Sequence, residues 1–148
     1  NEKLPGIAAL DLHTVGGHVR LIGNIAVESD LMPWQTEEYG NRQTRVRLVG
    51  FENHSGRTYL GSSVRPLGRV LSGHGNNGED GSEGAVYRNT IGCYMHGSLL
   101  PKNPQLADHL IGLAMQRRYG QAAAALSPLD DQLEHGAQKT MLSRLVKT

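Results

Sequence analysis

The chain has 148 residues and a formal net charge of +1, from 15 basic and 14 acidic residues. Its length suits one domain, or a large part of one, with a single hydrophobic core. The near-neutral charge excludes a strongly basic nucleic-acid module, and the 5% of aromatic residues argue against base-stacking platforms. No apolar run approaches the roughly 20 residues of a membrane-spanning helix. The charge and the few aromatic residues lead us to expect no nucleic-acid partner. The single cysteine cannot form an internal disulfide, so we expect a reducing, cytoplasmic setting.

Strands are predicted through the first two thirds of the chain. Apolar residues alternate over Val19–Ser29, and Thr44–Glu52 predicts the next strand, with Leu31–Gln43 between them as a loop or an insertion. The segment Asn53–Arg57 has turn chemistry, so we expect it to break the second strand. Further strands are predicted over Arg57–Leu60, Leu67–Ser72, Ala85–Asn89 and Thr90–His96.

A glycine-rich segment, Gly73–Gly84, interrupts these strands. Five of its 12 residues are glycine and none is apolar, so we expect no packed element from it and place it at the surface or at a site. Gly73–Gly78 matches the letters of a G-x-G-x-x-G phosphate loop, but acidic residues follow where a helix should begin. The spacing of an EF-hand calcium loop is absent as well.

The last third predicts two helices. Pro104 suits a first helical turn and Gly120 a stop, with Leu106, Leu110, Leu113 and Ala114 at helical spacing between them. Pro128 and Leu129 introduce a second helix to the C-terminus. Its predicted apolar stripe is Leu133, Ala137, Met141 and Leu145. Strands followed by helices predict an α/β layered protein or part of one.

The chemistry-bearing candidates in the last predicted strand are Cys93 and His96. His96 follows an apolar run and precedes Gly97, which places it at a strand end, where α/β proteins hold reactive groups. An ordinary hydrogen-bonded histidine is the alternative. Cys93, three residues earlier, would face the opposite side of a strand, which favours a small buried core residue over a nucleophile.

Arg20, Asn53 and Arg57 are the remaining polar candidates. An arginine beside apolar strand residues is either a solvated charge or a clamp for a carboxylate. Asn53 stands at the end of a predicted strand, where either a surface or a binding role is open. The seven histidines include no pair four residues apart, and no second cysteine exists, so we predict no metal site.

Four stretches taken together resemble one family: Arg20–Asp30, Leu48–Leu60 with its VGFENH, Gly73–Asp80 with its GNNGED, and Ile91–Pro104 with its YMHG. They are similar to the cobyric-acid-synthase-like class I glutamine amidotransferases, and among these to the glutaminase subunits of lipid II isoglutaminyl synthase. The resemblance covers about residues 6 to 118.

The resemblance implies a three-layer α/β fold of the flavodoxin-like, class I amidotransferase type. Residues 1–120 would form the C-terminal part of the amidotransferase domain, and residues 121–148 a helical extension. The family's nucleophile lies in a C-G-G-[FY]-Q elbow that would precede Asn1. We therefore expect this chain to lack the elbow and the first strands, and to be inactive by itself.

The resemblance also implies a reaction. The glutaminase releases ammonia from L-glutamine, and a Mur-ligase-like partner, bound as a heterodimer, uses it to amidate D-glutamate of the lipid II stem peptide. No cofactor is expected in this subunit, whereas ATP and magnesium are expected on the partner. Two alternatives stay open: amidation of another carboxylate by a cobyric-acid-synthase-like enzyme, and a non-catalytic binding module that has lost the thiol.

Site residues carry over by position. His96 matches the catalytic base, Arg20 matches the residue that binds glutamine, and Asn53 with Ser55 resembles a turn that touches the substrate. Cys93 stands where relatives commonly carry threonine. Ser98 stands where many class I enzymes have the glutamate that orients the imidazole, so we expect the partner subunit to supply a carboxylate.

Overall fold

The computed structural model describes residues 4–31, 45–120, 126–127 and 129–146. The loop or insertion predicted over Leu31–Gln43 lies outside the described residues, except for Leu31 itself. The elements in chain order are β1 Leu12–Ser29, β2 Val46–Leu60, β3 Gly68–Ser72, β4 Ser82–Glu83, β5 Ala85–Tyr87, β6 Thr90–Gly92, α1 Pro104–Tyr119 and α2 Gln132–Leu145. The predicted mixed α/β composition is confirmed, and neither described helix is long and apolar enough to cross a membrane.

Two antiparallel sheets organise the described residues. The larger has the strand order β2-β1-β3-β4, and the smaller is the β5–β6 hairpin. The long pair β1 and β2 runs in register from Leu12 opposite Leu60 to Ser29 opposite Val46, with one shift between Gly16 and Leu21. All strand pairs in the described part of the chain are antiparallel.

One face of the large sheet carries the hydrophobic core. Ile25 and Val27 of β1 lie opposite Gly50 and Leu48 of β2, and alternation sends them to the same side. The buried cluster consists of Ile25, Val27, Leu31, Leu48, Leu67, Val86, Met95 and Leu106. Each such side chain stabilises the fold by about 1.5–3 kcal/mol when it leaves water. Leu106 brings α1 onto this face.

The outer edge of β2 is closed by the segment that leads into α1. The side chain of Asn103 accepts a hydrogen bond from Val49 N at 2.8 Å and donates one to Val49 O at 2.8 Å. Farther along the same edge, His96 N donates to Phe51 O at 2.6 Å. The segment from His96 to Asn103 therefore runs beside β2 without being a strand.

The predicted break at Asn53–Arg57 was wrong. β2 continues to Leu60 because β1 also continues and pairs with it on both sides of the register shift. Gly16 lies opposite Gly56, and a Cβ at Gly17 would come within 2.5 Å of Ser55 O. The polar and glycine residues here serve a close approach of two strands rather than a turn.

The glycine-rich segment is more ordered than its composition predicts. Asn76, Asn77 and Glu83 are buried, and Ser82–Glu83 forms β4. Asn77 Oδ1 accepts hydrogen bonds from Glu79 N at 2.9 Å and Asp80 N at 3.0 Å. The expectation that no packed element arises here was wrong, because side-chain amides satisfy the backbone where apolar side chains are missing.

The two helices differ in how well they match the pattern. α1 begins at Pro104 and ends before Gly120, whose φ of 71° suits glycine, as predicted. The apolar stripe predicted for α2 is wrong in its first half, since Leu133 is 84% exposed and Ala137 is exposed. The division of the chain at residue 121 stays a prediction.

Candidate active site

Arg20 and Asn53 meet across the β1–β2 pair. The Nε of Arg20 donates a hydrogen bond to Asn53 Oδ1 at 2.7 Å. Ile22 lies opposite Asn53, and Arg20, two residues earlier on β1, points to the same side. Only Nε takes part in this bond. The two Nη groups could donate a pair of hydrogen bonds to a carboxylate.

His96 reaches the same face from the neighbouring edge. It forms an antiparallel bridge with Phe51, and residues paired in this way point to one side of the sheet. Phe51 and Asn53 are two residues apart on β2 and share that side. The structure therefore brings Arg20, Asn53 and His96, the three predicted site residues, to one face, where Arg20 and His96 are exposed to solvent.

Ser55 and Ser98 take backbone roles in the described structure. Ser55 O accepts a hydrogen bond from Arg57 Nη1 at 3.0 Å. Ser98, with a φ of 56°, follows Gly97, with a φ of 61°, in the turn directly after His96. Such left-handed backbone at two consecutive residues produces a sharp turn in the chain.

Cys93 lies apart from this face. The strand β6 ends at Gly92, and the thiol packs against the hydrophobic core with its Sγ 3.9 Å from Met95 O. Burial, more than any other factor, raises the pKa of the Cys93 thiol. A thiol held in its protonated form is a poor nucleophile, which agrees with the core position predicted for it.

The opposite face of β2 holds polar residues that the pattern did not single out. Glu52 is 0% exposed and accepts hydrogen bonds from His74 N at 2.8 Å, His74 Nδ1 at 2.8 Å and Gly75 N at 2.9 Å. Its carboxylate thus fixes the start of the glycine-rich segment. A signal existed, because Glu52 shares the alternation of Leu48 and Gly50 and so falls on the buried side.

A second buried carboxylate, Glu83, lies near the first. Its Oε1 accepts a hydrogen bond from Tyr94 N at 2.7 Å, while its Oε2 has no hydrogen-bond partner in the described part of the chain. Burial raises the pKa of Glu83 to about 7, and the charge of Glu52 adds to this against the opposing effect of the Tyr94 hydrogen bond.

His54 fills the space beside Tyr94. The two rings stack with centroids 3.6 Å apart at an angle of 4°. His54 Nδ1 donates to Gly56 O at 2.8 Å, and its Nε2 lies 3.9 Å from Glu52 Oε2. Histidine, cysteine and acidic side chains do not gather into a metal-holding group of three or more within the described ranges.

Comparison with known proteins identifies the family. The model of the CobB/CobQ-like glutamine amidotransferase domain matches residues 1–104. The chain belongs to the CobB/CobQ-like glutamine amidotransferase family. The fold is therefore of the class I glutamine amidotransferase type, and the predicted resemblance is confirmed.

The curated relatives of this amidotransferase chain include two GatD subunits of lipid II isoglutaminyl synthase (glutamine-hydrolyzing). The one from Staphylococcus aureus (strain N315) is 37% identical over 144 residues, which are 96% of this chain and 51% of that protein. The one from Streptococcus pneumoniae (strain ATCC BAA-255 / R6) is 49% identical over 121 residues, which are 81% and 42%.

A cobyric acid synthase is also similar to this amidotransferase chain. The enzyme from Pelotomaculum thermopropionicum is 32% identical over 149 aligned positions, which cover 97% of this chain and 26% of that protein. The chain spans about half the length, or less, of the curated relatives it matches.

Proposed function

We propose that this chain is part of the glutaminase subunit of a lipid II isoglutaminyl synthase. The observation that supports it most is the Arg20–Asn53 hydrogen bond of 2.7 Å on the face that His96 shares. A guanidinium and an imidazole on one open face suit a substrate with a carboxylate at one end and a reacting amide at the other. The names of the two GatD relatives, subunits of a glutamine-hydrolyzing synthase, support glutamine as the substrate.

The proposed reaction uses each residue for one task. The Nη groups of Arg20 bind the α-carboxylate of glutamine, and Asn53 holds Nε so that the guanidinium plane stays fixed. His96 takes the proton of a cysteine thiol, whose sulfur attacks the side-chain amide carbon of glutamine. Ammonia leaves with a proton returned by His96, and water then hydrolyses the thioester to glutamate.

The thiol and the third acid are proposed to come from outside the described residues. The nucleophile is the cysteine of the family's elbow, upstream of Asn1. The carboxylate that orients His96 comes from a Mur-ligase-like partner subunit, which forms the heterodimer, binds ATP and magnesium, and amidates lipid II in the cytoplasm. Support for the partner is that the two curated relatives are named as subunits of a synthase.

A diazo-ketone analogue of glutamine tests the proposal on the full-length protein. We expect the label on a cysteine upstream of Asn1, and a loss of labelling when His96 or Arg20 is replaced by alanine. Glutaminase assays with the synthetase partner should show the same losses. If no cysteine is labelled, the chain is a non-catalytic binding module and the proposal fails.

A second candidate is glutaminase activity for another amidation. The match to a cobyric acid synthase over 97% of this chain favours it specifically. The acceptor is chosen by the synthetase, so the purified complex should be given lipid II and a corrin carboxylate in parallel. Amidation of lipid II alone supports the first candidate, and amidation of the corrin alone supports the second.

A further inference from the structure

The backbone that carries His96 is held from behind by a buried side chain. Glu83 is 0% exposed, and its Oε1 accepts the backbone N–H of Tyr94 at 2.7 Å. Tyr94 lies two residues before His96 and belongs to no described strand. The Glu83 carboxylate therefore accepts the Tyr94 N–H, which in a sheet would be donated to a neighbouring strand.

The side chain of Tyr94 is fixed as firmly as its backbone. Its ring stacks on His54 at 3.6 Å, and its hydroxyl lies 2.8 Å from Thr58 Oγ1. Thr58 Oγ1 in turn lies 2.7 Å from Thr14 Oγ1 on β1. Tyr94 is thus tied to β2 and, through one hydroxyl, to β1.

The two residues that follow continue the attachment. Met95 packs so closely over Gly50 that a Cβ there would come within 2.9 Å of Met95 Cβ. His96 N then donates to Phe51 O at 2.6 Å. The position of His96 is therefore set by a short run of attachments at Tyr94, Met95 and His96, of which the bond between Glu83 and the Tyr94 N–H is the first.

Glu83 itself has little freedom to move. It pairs with Gly68 in the β3–β4 ladder, and Gly84 N donates to Asn76 Oδ1 at 2.8 Å. A Cβ at Gly84 would come within 2.7 Å of Leu67 Cβ, so the backbone after Glu83 is closely packed. The carboxylate is a rigid support rather than an adaptable one.

We propose that Glu83 is a positioning residue for His96, acting through the N–H of Tyr94 to set where the imidazole stands over the glutamine site. The inference rests on the proposed glutaminase function. A displacement of about 1 Å in a reacting group costs about 100-fold in rate. Arg20 and Asn53 are held directly by β1 and β2, so loss of Glu83 should affect kcat much more than KM.

The test uses the full-length protein with its synthetase partner and three variants. Glu83→Ala removes the acceptor, and we expect kcat to fall by about 10- to 100-fold, with KM within about threefold of wild type. Glu83→Gln keeps an amide oxygen for Tyr94 N–H, and kcat should stay within about fivefold. Glu79→Ala removes an exposed carboxylate of the same segment and serves as the control, with activity within about twofold.

Hydrogen–deuterium exchange provides a readout independent of activity. We expect the Tyr94 amide to exchange at least about tenfold faster in Glu83→Ala, with the amides of β1 and β2 unchanged. An active enzyme whose kcat is the same in Glu83→Ala, or falls equally in Glu83→Ala and Glu83→Gln, overturns the positioning role alone. A wild-type complex without glutaminase activity overturns the proposed function as well, and so the two failures are distinguishable.

Discussion

The Nε of Arg20 lies 2.7 Å from the Oδ1 of Asn53, across 33 positions of sequence. The contact depends on the register of β1 and β2, in which Ile22 faces Asn53 just beyond the shift at Gly16 and Leu21. The irregularity in the pairing and the candidate glutamine clamp are thus adjacent features of the same strand pair.

Replacement of Arg20 by lysine should weaken glutamine binding. An ammonium cannot donate to Asn53 and fork onto a carboxylate at the same time, so we expect KM for glutamine to rise by about 10- to 100-fold, with kcat within about fivefold. Steady-state glutaminase assays of the full-length complex measure both. The matched control is Arg117→Lys in the last turn of α1, where activity should not change. An unchanged KM in Arg20→Lys would remove Arg20 from the site.

Glu83 should make the fold less stable as pH rises toward neutrality. The pKa of Glu83 is raised from 4.5 to about 7 in the folded chain, so the folded state binds this proton more tightly than the unfolded state. The free energy of unfolding should therefore fall by up to about 3 kcal/mol between pH 4.5 and 7.5.

Glu83→Gln should remove this pH dependence. We expect the variant to be more stable than wild type at pH 8 and about equal to it at pH 5, since an amide does not ionise. Urea unfolding of the full-length protein at several pH values measures the difference. Parallel pH curves for the two proteins would show that Glu83 has an ordinary pKa.

Glu52→Gln should destabilise the start of the glycine-rich segment. The carboxylate accepts three N–H groups, from His74 N, His74 Nδ1 and Gly75 N, and an amide nitrogen would face at least one of them. We expect a loss of about 1–3 kcal/mol in the free energy of unfolding. Glu79→Gln, at an exposed position of the same segment, should lie within about 0.5 kcal/mol of wild type. Equal stability of both variants would contradict the role assigned to Glu52.

Cys93→Ala should leave labelling by a glutamine analogue unchanged. The thiol packs against the core, and burial raises its pKa, so it offers little thiolate to an electrophile. Peptide mapping by mass spectrometry should find no modification at position 93 in the wild-type protein. Label at Cys93, lost in the alanine variant, would show that this residue and not an upstream cysteine is the nucleophile.

The periodic spacing of apolar residues, together with proline and glycine signals, predicted the central parts of β1 and β2 and the ends of α1. Alternation located the cores of β1 and β2, and Pro104 and Gly120 marked the ends of α1. His96, Arg20 and Asn53 came from local motifs, and the structure places all three on one face. Their catalytic and binding roles stay predictions, because the position of three side chains on one face does not show which reaction they take part in.

The misjudged segments share a physical cause. Asn53–Arg57 and Gly73–Gly84 are polar and rich in glycine, which is typical of turns, yet both are ordered by long-range contacts. Asn77 Nδ2, for instance, donates to Thr58 O at 3.1 Å, a partner 19 residues away. Local propensity carries no information on a hydrogen bond between residues so far apart in the sequence. On α2, helical spacing predicted an apolar stripe through Leu133 and Ala137, but both residues are exposed.

The side-chain amide of Asn103 affects whether the domain can associate with other polypeptides through the edge of its sheet. Among the described strands, β2 lies at the edge of its sheet, and an unpaired edge strand can pair with another polypeptide. The Asn103 side chain binds both the N–H and the C=O of Val49, so these two backbone groups cannot pair with another polypeptide. Asn103 thereby protects the sheet against edge-to-edge association at Val49.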